Sequence, residues 1–203
     1  MYKNIVFDFG RVIVDFDEMY MTGVFIKDEK EKKLVRDIVF DRLYWDKLDS
    51  GDITDDEVKA LACERLPEHL REPACRVYDN WIENINLISG MPELIEELKN
   101  EGAKLYLLSN ISIGFAEKYK EVKHINDVLQ YFDGLVFSGP IHTVKPHKEI
   151  FEHLLNEYSL KAEECIFIDD NQKNIEGARA LGIYTYLFDS DVEKLKAFLN
   201  VKN

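Results

Sequence analysis

Asp8 closes a short apolar run, Ile5-Val6-Phe7, and similar polar stops recur along the chain. Ser109-Asn110 ends the run Lys104 to Leu108, Lys145 follows Leu135-Val136-Phe137, and Asp169-Asp170 ends Cys165-Ile166-Phe167-Ile168. Singly, each has a plain reading. An Asp or a Ser-Asn after a strand caps a turn, and Lys145 before Pro146 is a solvated loop lysine. The paired acids resist that reading, because adjacent carboxylates at a buried edge repel until a cation or a proton relieves them. Together the four sites supply what phosphoryl transfer requires. Asp8 is an ionisable oxygen nucleophile. Mg²⁺ held by Asp8 and Asp170 would neutralise the approach of a carboxylate to a phosphate dianion. Lys145 would hold phosphate oxygens as a point charge and screen Asp8 from Asp169 and Asp170. Ser109 and the backbone N–H beyond it would donate to the transferring oxygens.

These residues can meet only if the strands before them lie side by side and end at one edge. The pattern predicts this. Ile5-Val6-Phe7 reads as a buried strand of a parallel sheet. After Gly90, Pro92 opens a helix over Glu93 to Asn100, stopped by Gly102. A strand follows over Lys104 to Leu108, a helical stretch over Gly114 to Val122, a strand over Leu135 to Phe137 and a turn at Ser138-Gly139-Pro140. His147 to Tyr158 is helical and Cys165 to Ile168 a strand. Ile175 to Leu181 is a helix closed by Gly182, Tyr184 to Phe188 the last strand, and Val192 to Leu199 the last helix. Strands alternating with helices at this spacing imply an α/β fold with parallel strands and right-handed crossovers. From Asp17 to about Asn86 the texture is helical instead, with Leu61, Cys63 and Leu66 among its apolar positions and Thr54 and Glu57 spaced as a capping box. No strand signal of comparable strength occurs there. Inserted directly after the first strand, this segment should sit over the carboxyl ends of the strands, where open α/β sheets bind ligands.

Composition narrows the partners. A formal net charge of −13 repels nucleic acid and anionic membranes over most of the surface, so neither is an expected partner. It does not exclude an anionic substrate, since a metal ion and a lysine reverse the field locally. Cys63, Cys75 and Cys165 show no CxxC spacing, so neither a disulfide framework nor a zinc site is expected, and a reducing, cytoplasmic setting fits. The opening residues do not read as a signal peptide, and no apolar run approaches the roughly 18 residues of a membrane span. No GxGxxG follows the first strand, which disfavours a nicotinamide enzyme. His124, His142, His147 and His153 have no metal-ligand spacing. Monomer and homodimer both remain open.

Asp8-Phe9-Gly10-Arg11-Val12-Ile13, Leu107-Leu108-Ser109-Asn110, Val144-Lys145-Pro146 and Phe167-Ile168-Asp169-Asp170-Asn171 resemble, in order, the four motifs of the haloacid dehalogenase superfamily. Asn174 to Gly182 is similar to the helix after the family's last acidic motif. The likeness covers the whole chain. It implies a Rossmann-like core at 1–14 and 89–203 with a helical cap at 15–88. It implies a Mg²⁺-dependent phosphatase that passes through an aspartyl-phosphate at Asp8. Asp8, the Gly10 carbonyl, Asp169 and Asp170 would surround the metal, and Ser109, Asn110 and Lys145 would bind phosphate. The implied substrate is a small phosphorylated metabolite such as a hexose phosphate.

One position departs from the pattern. Family phosphatases usually carry a second Asp two residues after the nucleophile, as general acid and base, and here that residue is Gly10. Three readings stand. The chain resembles sugar-phosphate phosphatases with an Asp-x-Gly start, or the acid comes from Asp15 or Asp17, or turnover is poor. Losing such a group costs about 10²–10⁴-fold. The rivals are a protein that binds phosphorylated ligands without turnover, a phospho-acceptor signalling module, and a metal-independent 2-haloacid dehalogenase. In the cap, Tyr44 and Trp45, beside Asp46 and near Gly51, are either packing or substrate contacts, and Arg11, just after the nucleophile motif, is read as facing the cap.

Overall fold

The computed structural model describes residues 2–200. Strand β1 (Asn4–Phe7) lies at the centre of a five-stranded parallel sheet. Beside it run β4 (Lys104–Ser109) and β6 (Cys165–Asp169), with β5 (Gly134–Phe137) and β7 (Tyr184–Leu187) outermost, giving the order β5-β4-β1-β6-β7. Burial follows that order. Every residue of β1 and β6 is buried, whereas β7 is open at both ends. Strands covered on both faces must be apolar throughout, which is why their runs were legible as continuous hydrophobic stretches. Phe7 pairs with Leu107 on one side and Ile168 on the other, so Asp8, Ser109 and Asp169 emerge at one edge.

Helices cover the sheet: α6 (Met91–Asn100), α7 (Ile113–Lys118), α8 (Lys123–Leu129), α9 (Ser138–Ile141), α10 (Lys148–Glu157), α11 (Gln172–Ala180) and α12 (Val192–Asn200). Gly90 before α6 and Gly102 after it hold φ of 84° and 89°, a region an L side chain enters only at a cost. The stretch Gly114 to Val122, expected as one helix, is α7 followed by a 3₁₀ turn at Tyr119–Glu121, and α8 went unanticipated. Ser138-Gly139-Pro140, expected as a turn, forms the single helical turn α9. Tertiary contact decides this: a Cβ on Gly139 would lie 2.7 Å from the Ile113 nitrogen, so α9 is pressed onto the loop after β4.

The inserted segment holds α1 (Glu18–Phe25), α2 (Glu29–Val39), α3 (Arg42–Asp49), α4 (Asp55–Glu64) and α5 (Glu68–Asp79). At its neck, β2 (Val14–Asp15) pairs antiparallel with β3 (Asn86–Leu87), a ribbon too short for period-two alternation to reveal. Inside, Trp45 is 6% exposed and donates through its indole N–H to the Val39 carbonyl at 2.6 Å. Its ring meets those of Phe16 at 5.6 Å and Trp81 at 5.5 Å, and Trp81 stacks on Phe115 of α7 at 5.8 Å. One apolar cluster therefore runs from the insertion into the sheet side. Among the described residues, no helix is long and apolar enough to cross a membrane.

The capping box at the start of α4 is complete. Glu57 N–H donates to Thr54 Oγ1 at 3.3 Å, and Thr54 N–H donates to Glu57 Oε2 at 2.9 Å. Thr54→Ala removes the first bond and should cost about 1 kcal/mol. A thermal melt should show Tm lower by roughly 2–4 °C.

Candidate active site

Asp8 continues the line of β1, its N–H donating to the Ile168 carbonyl at 2.9 Å, so its side chain starts from a fixed point. Asp8 Oδ1 accepts from the Phe9 N–H at 2.7 Å and pairs with Lys145 Nζ at 2.7 Å. Lys145 Nζ also donates to Asp169 Oδ2 at 2.8 Å. Burial alone would strip the lysine of its proton, but the two carboxylates outweigh it and hold Lys145 above its ordinary range, as an ammonium. Burial pushes the Asp8 carboxyl up, Lys145 draws it down and Asp169 pushes it up again.

Asp169 is fully buried and its hydrogen bonding is complete. Oδ1 accepts from the Asn171 N–H at 2.8 Å and from Asn174 Nδ2 at 3.1 Å, while Oδ2 accepts from Asn174 Nδ2 at 3.0 Å as well as from Lys145. Expected beside the metal, it has Oδ2 on the lysine and Oδ1 on Asn171 and Asn174. Asp170 is half-buried, and burial and then Asp169 push its carboxyl up. Among the described residues no donor reaches Asp8 Oδ2. Asp8, Asp169 and Asp170 bring a carboxylate oxygen each to within 4.8 Å of one another. Hard oxygen donors crowded in this way suit Mg²⁺, with Asp8 and Asp170 as the carboxylates free to hold it.

Asn110, expected on phosphate, is engaged elsewhere. Its Nδ2 donates to the Lys145 carbonyl at 3.0 Å and its Oδ1 accepts from the Lys145 N–H at 2.7 Å. Both ends of the amide grip the lysine's backbone, which makes Asn110 a positioning residue. Ser109, buried at the end of β4, lines the cavity over the site.

That cavity measures about 390 Å³. Phe9, Gly10, Ser109, Asn110 and Asn171 line it from the sheet side, and the insertion adds Phe16, Phe40, Trp45, Asp49 and Trp81. Trp45 thus lines the cavity while packing in the aromatic cluster. Tyr44 does not line it; its ring lies under the Arg65 guanidinium at 5.5 Å. Arg11 sits at φ 59°, a left-handed backbone, and borders both this cavity and a neighbouring one of about 640 Å³. Asp15 and Asp17 are exposed and line only the neighbour, where Asp17 also caps α1 through the Tyr20 N–H at 2.9 Å. A Cβ at Gly10 would meet no atom within 4 Å, so packing does not demand glycine there. His124 and His142 contact backbone carbonyls of Ile85 and Ser50, away from the acids.

Three residues escaped sequence reasoning: Asn174, Ser138 and Asp49. Ser138 Oγ donates to the Asp49 carbonyl at 2.5 Å and accepts from the Ile111 N–H at 2.8 Å, tying the insertion to the loop after Ser109. Asp49 is 7% exposed, and burial pushes its carboxyl up to about 7, against opposing pulls from Arg42 and Lys145. Its signal was present: four residues after Trp45, it falls on the same apolar helix face, where an acid is out of place.

Two outcomes follow. Lys145→Met leaves Asp8 and Asp169 buried without their cation, and urea unfolding should show a loss of about 3–5 kcal/mol. Asp49 acts through pH. The unfolded chain loses this proton near 3.8 and the native chain near 7, so across that window the native state binds more protons and its stability falls as pH rises. Asp49→Asn lacks this slope, so its stability advantage over the wild type should grow from pH 4 to pH 7.5.

Residues 2–182 match the haloacid dehalogenase-like hydrolase family. The chain is 30% identical over 200 residues to a D-ribitol-5-phosphate phosphatase of Bacteroides thetaiotaomicron, covering 92% of this chain and 91% of that protein. It is 24% identical over 185 residues to a sesquiterpene phosphatase of Aspergillus oryzae, covering 90% and 87%. Its fold matches that of a Bacteroides thetaiotaomicron enzyme of this family solved with magnesium and inorganic phosphate, at a TM-score of 0.69 and 20% identity over 96% of this chain and 99% of the other. The chain belongs to the haloacid dehalogenase-like hydrolases.

Proposed function

We propose that the chain is a Mg²⁺-dependent phosphatase acting on a small phosphorylated metabolite, with Asp8 as nucleophile. The observation that carries this reading is the cluster of Asp8, Asp169 and Asp170, their oxygens within 4.8 Å, with Lys145 bridging two of them. Bound Mg²⁺ would supply charge neutralisation for the phosphate dianion. Asp8 attacks phosphorus, its backbone held by β6 and its approach fixed by the Phe9 N–H and Lys145. Lys145 and Ser109 face the phosphoryl oxygens, and Asn110 and Asp169 hold Lys145 in place. Water then hydrolyses the aspartyl-phosphate.

Residues 15–88 act as the cap that chooses the leaving group. A cavity of about 390 Å³ suits a small metabolite. Aromatic rings on one wall can stack on the C–H face of a sugar or polyol, while Arg11, Arg42, Glu18 and Asp49 offer partners for its hydroxyls. That mixture favours a sugar or polyol phosphate over a hydrocarbon phosphate. The likeness to a D-ribitol-5-phosphate phosphatase supports the same class.

Phosphate release from p-nitrophenyl phosphate should require Mg²⁺, stop with EDTA, and fall by at least about 10³-fold in Asp8→Asn. A panel of sugar, polyol and prenyl phosphates then ranks the leaving groups, with polyol and sugar esters expected first. Chloride release from a 2-haloacid in the presence of EDTA, without phosphate release, would establish the dehalogenase rival instead.

A further inference from the structure

Phosphoryl transfer as proposed above leaves one proton unassigned. An alcohol displaced from phosphorus departs as an alkoxide unless an acid protonates it, and the water that attacks next must lose a proton to a base. Gly10 has no side chain to offer, and Asp15 and Asp17 lie exposed on the neighbouring cavity. Asp49 differs on each count. It is buried and lines the same cavity as Gly10 and Ser109. Among the described residues its carboxyl has no hydrogen bond or ion pair; Arg42, the nearest cation of its own helix, pairs with Asp46 instead. The Asp49 oxygens are not sealed from solvent, so they open onto the cavity and stay available to a ligand.

Its place is also fixed. Ser138 Oγ holds the Asp49 carbonyl at 2.5 Å and accepts the Ile111 N–H at 2.8 Å, two residues beyond Ser109. One hydroxyl thus joins the end of α3 to the loop that carries the phosphate-binding serine. Two residues on, Gly51 sits at φ 73° with its α-carbon so close to α9 that a Cβ would meet the Gly139 carbonyl oxygen at 2.5 Å. The backbone at and just after Asp49 is therefore seated on the core.

We propose that Asp49 is the general acid and base of this site, a role that rests on the phosphatase reading. In the first half-reaction the P–O bond to the leaving group breaks as the Asp8 oxygen bonds to phosphorus. The Asp49 carboxyl gives its proton to the departing oxygen and becomes a carboxylate. In the second, that carboxylate takes a proton from water, the water oxygen bonds to phosphorus, and the bond to Asp8 breaks. Inorganic phosphate leaves, Asp8 is again a carboxylate and Asp49 again an acid. The surroundings suit both roles. Burial raises the carboxyl to about 7, Arg42 and Lys145 lower it and Asp46 raises it, while Arg11 of the core and Glu18 of α1 line the same cavity. Acid and base forms then coexist near neutral pH.

The test compares an alkyl polyol phosphate with p-nitrophenyl phosphate, whose leaving group departs without a proton. With Mg²⁺ present, Asp49→Asn should lower kcat/KM for the alkyl ester by about 10²–10⁴-fold. With p-nitrophenyl phosphate it should release one nitrophenol per enzyme in a burst and then stall, with the aspartyl-phosphate visible by intact-protein mass. In the wild type, the alkyl-to-aryl ratio of kcat/KM should fall as pH rises above 7, a measurement that needs no variant. An Asp49→Asn protein that turns over both esters like the wild type, or loses both equally with no burst, overturns the assignment. A wild type that releases no phosphate from any ester overturns the phosphatase reading and this inference with it.

Discussion

A lysine ammonium buried between two carboxylates organises this protein. Lys145 touches Asp8 at 2.7 Å and Asp169 at 2.8 Å in a region closed to solvent. Removing such charges from water costs several kcal/mol each unless partners are close and well aligned. The fold provides that alignment from four directions: β1 presents Asp8, β6 presents Asp169, Asn174 of α11 steadies Asp169, and Asn110 at the end of β4 clamps the lysine backbone. Counted with Asp170, three acids outnumber the cations near them, Lys145 and, beside Asp170, Arg11, which leaves a surplus of acid when all are ionised. A divalent cation would offset that surplus.

The insertion is held in place as firmly as the sheet edge. Its aromatic rings continue through Trp81 onto Phe115 and Phe9, so the apolar cluster has no seam between cap and core. A helical lid of this kind has limited freedom to swing as a body. Polar contacts agree: Ser138 binds the end of α3, and His142 Nδ1 lies 3.1 Å from the Ser50 carbonyl. Selection of substrate then falls to cavity shape and to the few charged groups on its wall.

What could be read from the sequence follows from how directly sequence determines position. Strand ends in a parallel sheet share an edge by geometry, so Asp8, Ser109, Lys145 and the acid pair could be gathered before any coordinates were known. Roles within that cluster depend on long-range contacts. Asn110 after Ser109 looks like one more polar donor, and the passage of Lys145 across it, 35 residues on, is what turns its amide inward. Asp169 and Asp170 look alike in the chain, yet one ends a buried strand and saturates its oxygens while the other lies partly open. Asp49 was hidden differently: no motif surrounds it, and only the docking of α3 on α9 gives it a cavity to face.

Placing the acid in the cap rather than two residues beyond the nucleophile has a chemical consequence. With both groups on one loop, an enzyme can protonate a leaving group whether or not its cap is seated. With Asp49 as the donor, protonation requires the end of α3 to rest on α9, because the Ser138 hydroxyl ties the Asp49 backbone carbonyl to the loop after Ser109. Hydrolysis of the aspartyl-phosphate then depends on the same contact. Because one apolar cluster joins insertion and core, that contact is held in the folded chain, and the space beside Gly10 stays open next to it.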